Sequence, residues 1–122
     1  MEKSTSFEDL IVWQKAHAFV LHVYKVTEDF PKYEIYGLTS QFRRAAVSIA
    51  ANIAEGYRKK SVKDKLNFLS IAHSSLEECR YYIILSRDLS YKNDEKLNLQ
   101  IEEVSKLLYA YARTIRTNVP IK

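Results

Sequence analysis

Glycine and proline are scarce in this chain, which has only two of each among its 122 residues. A β-sandwich or β-barrel usually needs more of both, because these residues supply the backbone angles of tight turns. A chain of 122 residues is long enough for one hydrophobic core and too short for two ordinary ones. We therefore predict that residues 1–122 form one all-α domain.

Cysteine is scarcer still, because Cys79 is the only one. A single cysteine excludes an internal disulfide bond, and no cysteine or histidine accompanies it at the spacing of a zinc site. His17 and His22 are five positions apart and point in different directions on a helix, and His73 is isolated in the sequence. We predict a buried apolar role for Cys79, no metal site and no cofactor.

Long hydrophobic runs are also missing. A membrane-spanning helix needs about 20 consecutive apolar residues, and no run in this chain approaches that length. The N-terminal segment has charged residues, among them Glu2, Lys3 and Asp9, where a signal peptide would have an apolar core. These absences predict a cytoplasmic protein with no membrane partner.

Apolar residues at helical spacing occur in four segments. The predicted helices cover residues of about 7–30, 38–58, 62–89 and 94–118. Ser6 and Ser61 each precede an aspartate by three positions, which is the spacing of a capping box at a helix N-terminus. Similar helix lengths and short connections predict an antiparallel, up-down-up-down four-helix bundle.

The apolar stripes of these helices are wider than one bundle core requires. Apolar and aromatic residues on flanking or opposite positions are Trp13, Val20, Tyr24, Tyr57, Tyr81, Tyr82, Leu99, Leu107 and Tyr109. Tyrosine tolerates a partly wet interface, and large exposed apolar patches usually mark contacts between proteins. We predict that the chain self-associates, although periodicity alone gives no number of copies.

Basic residues are concentrated in residues 31–65, which carry eight cationic and three acidic side chains. The candidate ligands of nucleic-acid phosphates are Arg43, Arg44, Arg58, Lys59, Lys60, Lys63 and Lys65. Repeated around an oligomer, such a cluster would attract a phosphate backbone with little sequence specificity. The alternative is a solvated basic loop that keeps the protein soluble.

Tyrosines near arginines allow two interpretations. Tyr81 and Tyr82 follow Arg80, and Tyr109 and Tyr111 precede Arg113, so their rings could stack on unpaired bases. Their helical spacing favours core or subunit contacts instead. No sheet motif of the RNP type, zinc knuckle or glycine-rich phosphate loop accompanies them.

The chain lacks two catalytic patterns of helical-bundle enzymes. HEPN ribonucleases have an arginine four to six residues before a histidine, and none of the three histidines here has one. The Glu-x-x-His pairs of di-iron bundles are absent as well. We predict that the chain is not an enzyme.

Residues 48–56 (SIAANIAEG) combine small and aliphatic side chains with one amide and one carboxylate. If the second helix follows a heptad repeat, Asn52 occupies a position on its apolar seam, and Glu55 lies about one turn after Asn52. We predict that both bond across the bundle to polar groups of the third helix, such as His73, Ser75, Glu78 or Arg80. The alternative is a shared site lined by Ser48, Asn52 and Glu55, for which no nucleophile, base or metal ligand set is evident.

Residues 38–56, together with residues 75–78 (SLEE), resemble the four-helix-bundle family encoded in intervening sequences of bacterial large-subunit ribosomal RNA genes. The accessory proteins of diversity-generating retroelements are relatives of that family. The resemblance marks Ser48, Asn52, Glu55, Gly56, Ser75 and Glu78 as structural motif residues. Where many relatives have proline, this chain has Ala51, which leaves the resemblance intact.

The resemblance also implies a function. It implies a homopentamer arranged around a central channel. Through the retroelement relatives, it also implies a basic oligomer that binds nucleic acid and a reverse transcriptase. Residues and resemblance together predict a non-enzymatic accessory protein that binds RNA or DNA electrostatically. The alternative is a protein–protein scaffold or adaptor with no nucleic-acid ligand.

Overall fold

The computed structural model describes residues 6–117, and within them it contains four α-helices, two 3₁₀ turns and no strand. The helices are α1 (Ile11–Thr27), α2 (Leu38–Arg58), α3 (Val62–Asp88) and α4 (Glu95–Thr117). The 3₁₀ turns are Phe7–Asp9 and Lys32–Glu34. The predicted all-α class is confirmed. The predicted end of the fourth helix at residue 118 lies outside the described residues.

Consecutive helices run antiparallel. Near the middle of α2, Ser48 meets Ser75 of α3, whereas Gly56 near the end of α2 lies against Phe68 near the start of α3. Arg80 of α3 pairs with Glu102 of α4, whereas His73, earlier on α3, packs against Tyr109, later on α4, so these two helices are antiparallel as well. Since α1 packs on α2 and α4 and makes no close contact with α3, the helices form an up-down-up-down bundle with α1 and α3 on a diagonal.

The first helix is shorter than the predicted range of 7–30. Ser6 and Asp9 form the predicted capping box, with the Ser6 backbone N–H donating to Asp9 Oδ2 at 3.3 Å. This box caps the turn Phe7–Asp9, because the extended backbone of Leu10 (φ −78°, ψ 126°) separates that turn from α1. The predicted capping box is therefore present, but it caps the 3₁₀ turn and not α1.

The core is built from the predicted apolar stripe of each helix. Fully inaccessible side chains include Phe19 of α1, Phe42 and Ile49 of α2, and Leu76 of α3. Cys79 is also fully buried, and this burial raises the pKa of its thiol well above the ordinary value. As predicted, the cysteine serves as an apolar core residue. No helix in residues 6–117 combines the length and the hydropathy that crossing a bilayer would demand.

The start of α2 is capped by a side chain from the preceding turn. Gly37 occupies the N-cap position, and the Leu38 backbone N–H donates instead to Glu34 Oε1 at 3.0 Å. The Tyr91 hydroxyl donates to Glu34 Oε2 at 2.8 Å and so joins the loop after α3 to the same carboxylate. A Cβ at position 37 would lie 2.6 Å from Glu34 Oε1, so glycine leaves room for this cap.

These two hydrogen bonds predict a pH-dependent contribution of Glu34 to stability. The bond from Leu38 and then the bond from Tyr91 lower the pKa of Glu34. A carboxylate with a lowered folded-state pKa stabilises the fold above its ordinary pKa, and that contribution is lost as the pH falls through the folded-state pKa. Wild type should therefore exceed Glu34→Gln in unfolding free energy near pH 7, and by less near pH 3, in urea titrations followed by circular dichroism. Glu55→Gln, at an exposed position, is the matched control. A wild-type advantage over Glu34→Gln that is equal at both pH values would contradict this role.

Candidate nucleic-acid interface

The predicted phosphate ligands lie in two separate places. Arg43 and Arg44 are in the second turn of α2, whereas Arg58 and the four lysines are at the junction of α2 with α3. Fifteen residues of helix separate Arg43 from Arg58, which corresponds to about 22 Å along the axis. The candidate residues therefore do not form one continuous cluster.

Arg43 is already engaged by α1. Its Nε donates to Thr27 Oγ1 at 2.8 Å, and its Nη2 donates to the Tyr24 carbonyl at 3.3 Å. The guanidinium also lies 4.7 Å from the centre of the Tyr24 ring. Arg43 thus joins the last turns of α1 to α2, while its neighbour Arg44 is exposed to solvent.

Two lysines of the junction make contacts that connect α2 with α3. Lys65 Nζ donates to the Tyr57 carbonyl at 2.8 Å and to the Gly56 carbonyl at 3.4 Å. These are carbonyls of the last turn of α2, where cations are favoured by the helix dipole. Lys59 Nζ lies 5.1 Å from the centre of the Phe68 ring, as in a cation–π contact. Lys59 and Lys65 therefore hold the connection between α2 and α3.

The other three cations of the junction face solvent. Arg58, Lys60 and Lys63 are exposed, and their side chains make no ion pair or hydrogen bond with any residue in the described range. Ser61 fixes the loop between them by accepting a hydrogen bond from the Asp64 backbone N–H at 3.0 Å. The junction is thus a rigidly anchored loop with three uncommitted positive charges.

Antiparallel packing adds two arginines that are not among the phosphate ligands predicted from the sequence. Arg113 and Arg116 are exposed in the last described turns of α4, and Arg116 lines a groove together with Leu66 near the start of α3. We call the seven cations at this end of the bundle the basic end: Arg58, Lys59, Lys60, Lys63, Lys65, Arg113 and Arg116. The signal that could have found the two arginines is the antiparallel pairing of the fourth helix with the third.

Acidic residues at the same end are fewer. Glu8 and Asp9 lie in the turn before α1, Glu55 lies in the last turns of α2, and Asp64 lies in the first turn of α3. Within residues 6–117, seven cationic side chains therefore stand against four acidic ones at this end, which gives the described part of the basic end a positive net charge. Such a surface favours phosphate over cationic or neutral ligands.

The predicted hydrogen bonds from Asn52 and Glu55 to α3 are wrong. Asn52 Nδ2 donates within its own helix, to the Ser48 carbonyl at 2.8 Å and to Ser48 Oγ at 3.0 Å. The bond across to α3 is made by Ser75 Oγ, which donates to Ser48 Oγ at 2.7 Å. Glu55 and Glu78 are both exposed. The buried face of α2 includes Thr39 and Ala46 beside the predicted seam, so Ile53 lies within that face and Asn52 lies at its edge.

Gly56 has a packing role. It is buried, and a Cβ there would lie 3.2 Å from the Phe68 Cβ and 3.3 Å from the Lys65 carbonyl oxygen. The missing side chain lets the first turns of α3 approach the last turn of α2. Gly56 therefore helps to fix the position of the basic loop that follows it.

Comparisons with known proteins agree with this architecture. The family model described as 23S rRNA-intervening sequence protein matches residues 8–110. The chain belongs to this family. The match spans α1 to α3, the basic loop and most of α4, and it confirms the family predicted from residues 38–56 and 75–78. Arg113 and Arg116 lie beyond the matched residues of this 23S rRNA-intervening sequence protein.

One solved structure is similar along nearly its whole length. It is a protein with unknown function from the S23 ribosomal protein family of Bacteroides thetaiotaomicron VPI-5482, with a TM-score of 0.74 and 27% sequence identity. The similarity covers 84% of this chain and 98% of that chain. No curated protein matches this 23S rRNA-intervening sequence protein in sequence. Within residues 6–117 there is no group of three or more histidine, cysteine, aspartate or glutamate side chains that could hold a metal ion.

Proposed function

We propose that this 23S rRNA-intervening sequence protein is a non-enzymatic, cytoplasmic accessory protein that binds RNA or DNA through phosphate contacts at its basic end. The observation that supports the proposal is the convergence of seven cations from the end of α2, the loop after it, the start of α3 and the end of α4. Five of them, Arg58, Lys60, Lys63, Arg113 and Arg116, are exposed and unpaired within residues 6–117. They are therefore available to phosphate oxygens.

Phosphate binding by such a surface is driven by counterion release. Each phosphate neutralised by lysine or arginine frees a condensed cation, so affinity falls steeply as salt rises. The contacts carry no base information, and the protein is expected to bind many sequences with similar affinity. This suits an accessory protein whose partners supply sequence specificity.

Self-association is part of the proposal. Large apolar side chains remain exposed on all four helices, for example Leu21 (58%), Val47 (41%), Ile71 (48%) and Leu99 (65%). Contacts between copies would cover such side chains. The family resemblance supports a homopentamer, in which five basic ends would form one cationic ring with a stronger field than any single copy.

A reverse transcriptase is proposed as a further protein partner, because the resemblance described above extends to the accessory proteins of diversity-generating retroelements.

A second candidate function is a protein scaffold with no nucleic-acid ligand. It is favoured by the loop between α1 and α2, where Tyr33 is 79% and Tyr36 is 93% exposed without a role in the core. The two functions differ in whether the basic end has a ligand.

The test is the salt dependence of binding to a fluorescent single-stranded RNA of about 20 nucleotides, measured by anisotropy. Five available cations predict a slope of log K against log salt of about −3 to −4 per copy. Sedimentation velocity of the same preparation reports the number of copies. Absence of binding even near 50 mM salt would contradict the proposal and favour the scaffold function.

A further inference from the structure

A groove between α3 and α4 opens beside the basic end. Its volume is about 210 Å³, and its floor is apolar, formed by Leu66 and Leu69 of α3 and Leu108 of α4. Leu69 and Leu108 are buried core residues, so the floor is continuous with the core of the bundle. Pockets for drug-sized ligands are about 300–1,000 Å³, so this groove suits a single planar ring system.

An aromatic ring on the wall of the groove is largely exposed to solvent. Tyr109 is 67% exposed, and its ring centre lies 6.1 Å from that of His73 at an interplanar angle of 76°. This edge-to-face contact orients the Tyr109 ring and leaves much of it accessible. An oriented, exposed ring above an apolar floor is the usual platform on which an unpaired base stacks.

The mouth of the groove is cationic. Arg116 lines it from α4. Lys63 precedes Leu66 by three positions on α3, and residues three apart share a helix face, so Lys63 belongs to the same face. Arg113 follows Tyr109 by four positions and lies beside it on α4 by the same rule. One exposed cation of the basic end, Arg116, therefore lines the aromatic, apolar groove, and two more, Lys63 and Arg113, lie within one helical turn of residues that line it.

We propose that the α3–α4 groove binds one unpaired nucleobase of a single-stranded nucleic acid, stacked on Tyr109 with its flanking phosphates on Arg116 and Lys63. The inference rests on the proposed function and adds a preference that phosphate contacts alone do not give. A base inside a duplex has no free face to offer, whereas a single strand presents base and phosphate together. The groove provides complementary surfaces for both at one place.

The test compares two strands of equal length and charge at one salt concentration: oligouridylate of about 20 nucleotides and the same strand without bases. Wild type should bind the strand with bases about tenfold more tightly, because stacking adds to equal phosphate contacts. Tyr109→Ala should lose this preference without changing affinity for the abasic strand, and Tyr109→Phe should keep it. Tyr36→Ala, which removes a 93% exposed tyrosine at the opposite end, is the matched control and should change nothing.

The possible failures are distinguishable. If neither strand binds near 50 mM salt, the proposed function itself fails. If both strands bind wild type equally, or if Tyr109→Ala keeps the preference, the groove is not a base site although phosphate binding stands. A smaller sedimentation coefficient for Tyr109→Ala would assign the groove to a contact between copies and would also overturn the inference.

Discussion

Replacing Arg58, Lys60 and Lys63 together by glutamate is expected to weaken binding to single-stranded RNA by about a hundredfold or more near 100 mM salt. The substitution removes three phosphate contacts and places three like charges beside the strand. The slope of log K against log salt should fall in magnitude by about 2, because each lost phosphate contact contributes about 0.7. All three residues are exposed and unpaired within residues 6–117, so the fold should be unaffected.

The matched control has the same change of net charge at the opposite end of the bundle. Lys25, Lys32 and Lys96 are exposed in the last turn of α1, the turn after it and the first turn of α4. Their triple replacement by glutamate also takes the formal net charge from +4 to −2. It should reduce affinity far less, because most of its charges lie beyond a Debye length from the basic end. Equal losses in both variants would mean that net charge, and not the basic end, determines binding.

Local patterns in the sequence predicted most of the fold. The predicted starts of the second and third helices, residues 38 and 62, coincide with the first residues of α2 and α3. Ser61 caps α3 as predicted, with the Asp64 N–H donating to its hydroxyl. These features depend on residues within one turn of each other, so the sequence contains all the information they need.

Features that depend on tertiary packing could not be predicted from local sequence patterns. Seven basic residues were predicted to bind phosphate because of their type and their proximity in sequence. In the structure, however, Arg43 donates a hydrogen bond to α1, and Lys65 donates to a carbonyl of α2. It also adds Arg113 and Arg116, which are about 50 residues from the loop but lie at the same end of the bundle. Which cations are available is decided by neighbours on other helices, and no local pattern reports them.

Asn52 illustrates a different difficulty, which is the position of the buried face around the helix. A seam with a repeat of 3.5 residues runs through Asn52, but the buried residues of α2 also include Thr39, Ala46 and Ala50, all on one side of that seam. The buried face is therefore centred beside the predicted seam, with Ile53 inside it and Asn52 at its edge. The polar contact between α2 and α3 then falls to Ser48 and Ser75, whose short side chains fit the narrow interface.

The antiparallel packing that brings the ends of α2 and α4 together depends on the bundle core, and Phe42→Ala tests that core. Phe42 is fully buried, and its ring lies 5.8 Å from that of Tyr82 of α3, so its loss would leave a cavity between α2 and α3. We expect a loss of about 3–5 kcal/mol in the free energy of unfolding and a fall in Tm of about 10 °C or more.

Urea titration followed by circular dichroism measures this loss, with Gln41→Ala as the matched control. Gln41 is the preceding residue on the solvent side of α2, and its truncation should change stability by no more than about 0.5 kcal/mol. A loss below about 1 kcal/mol for Phe42→Ala would show that this side chain is not closely packed between the two helices.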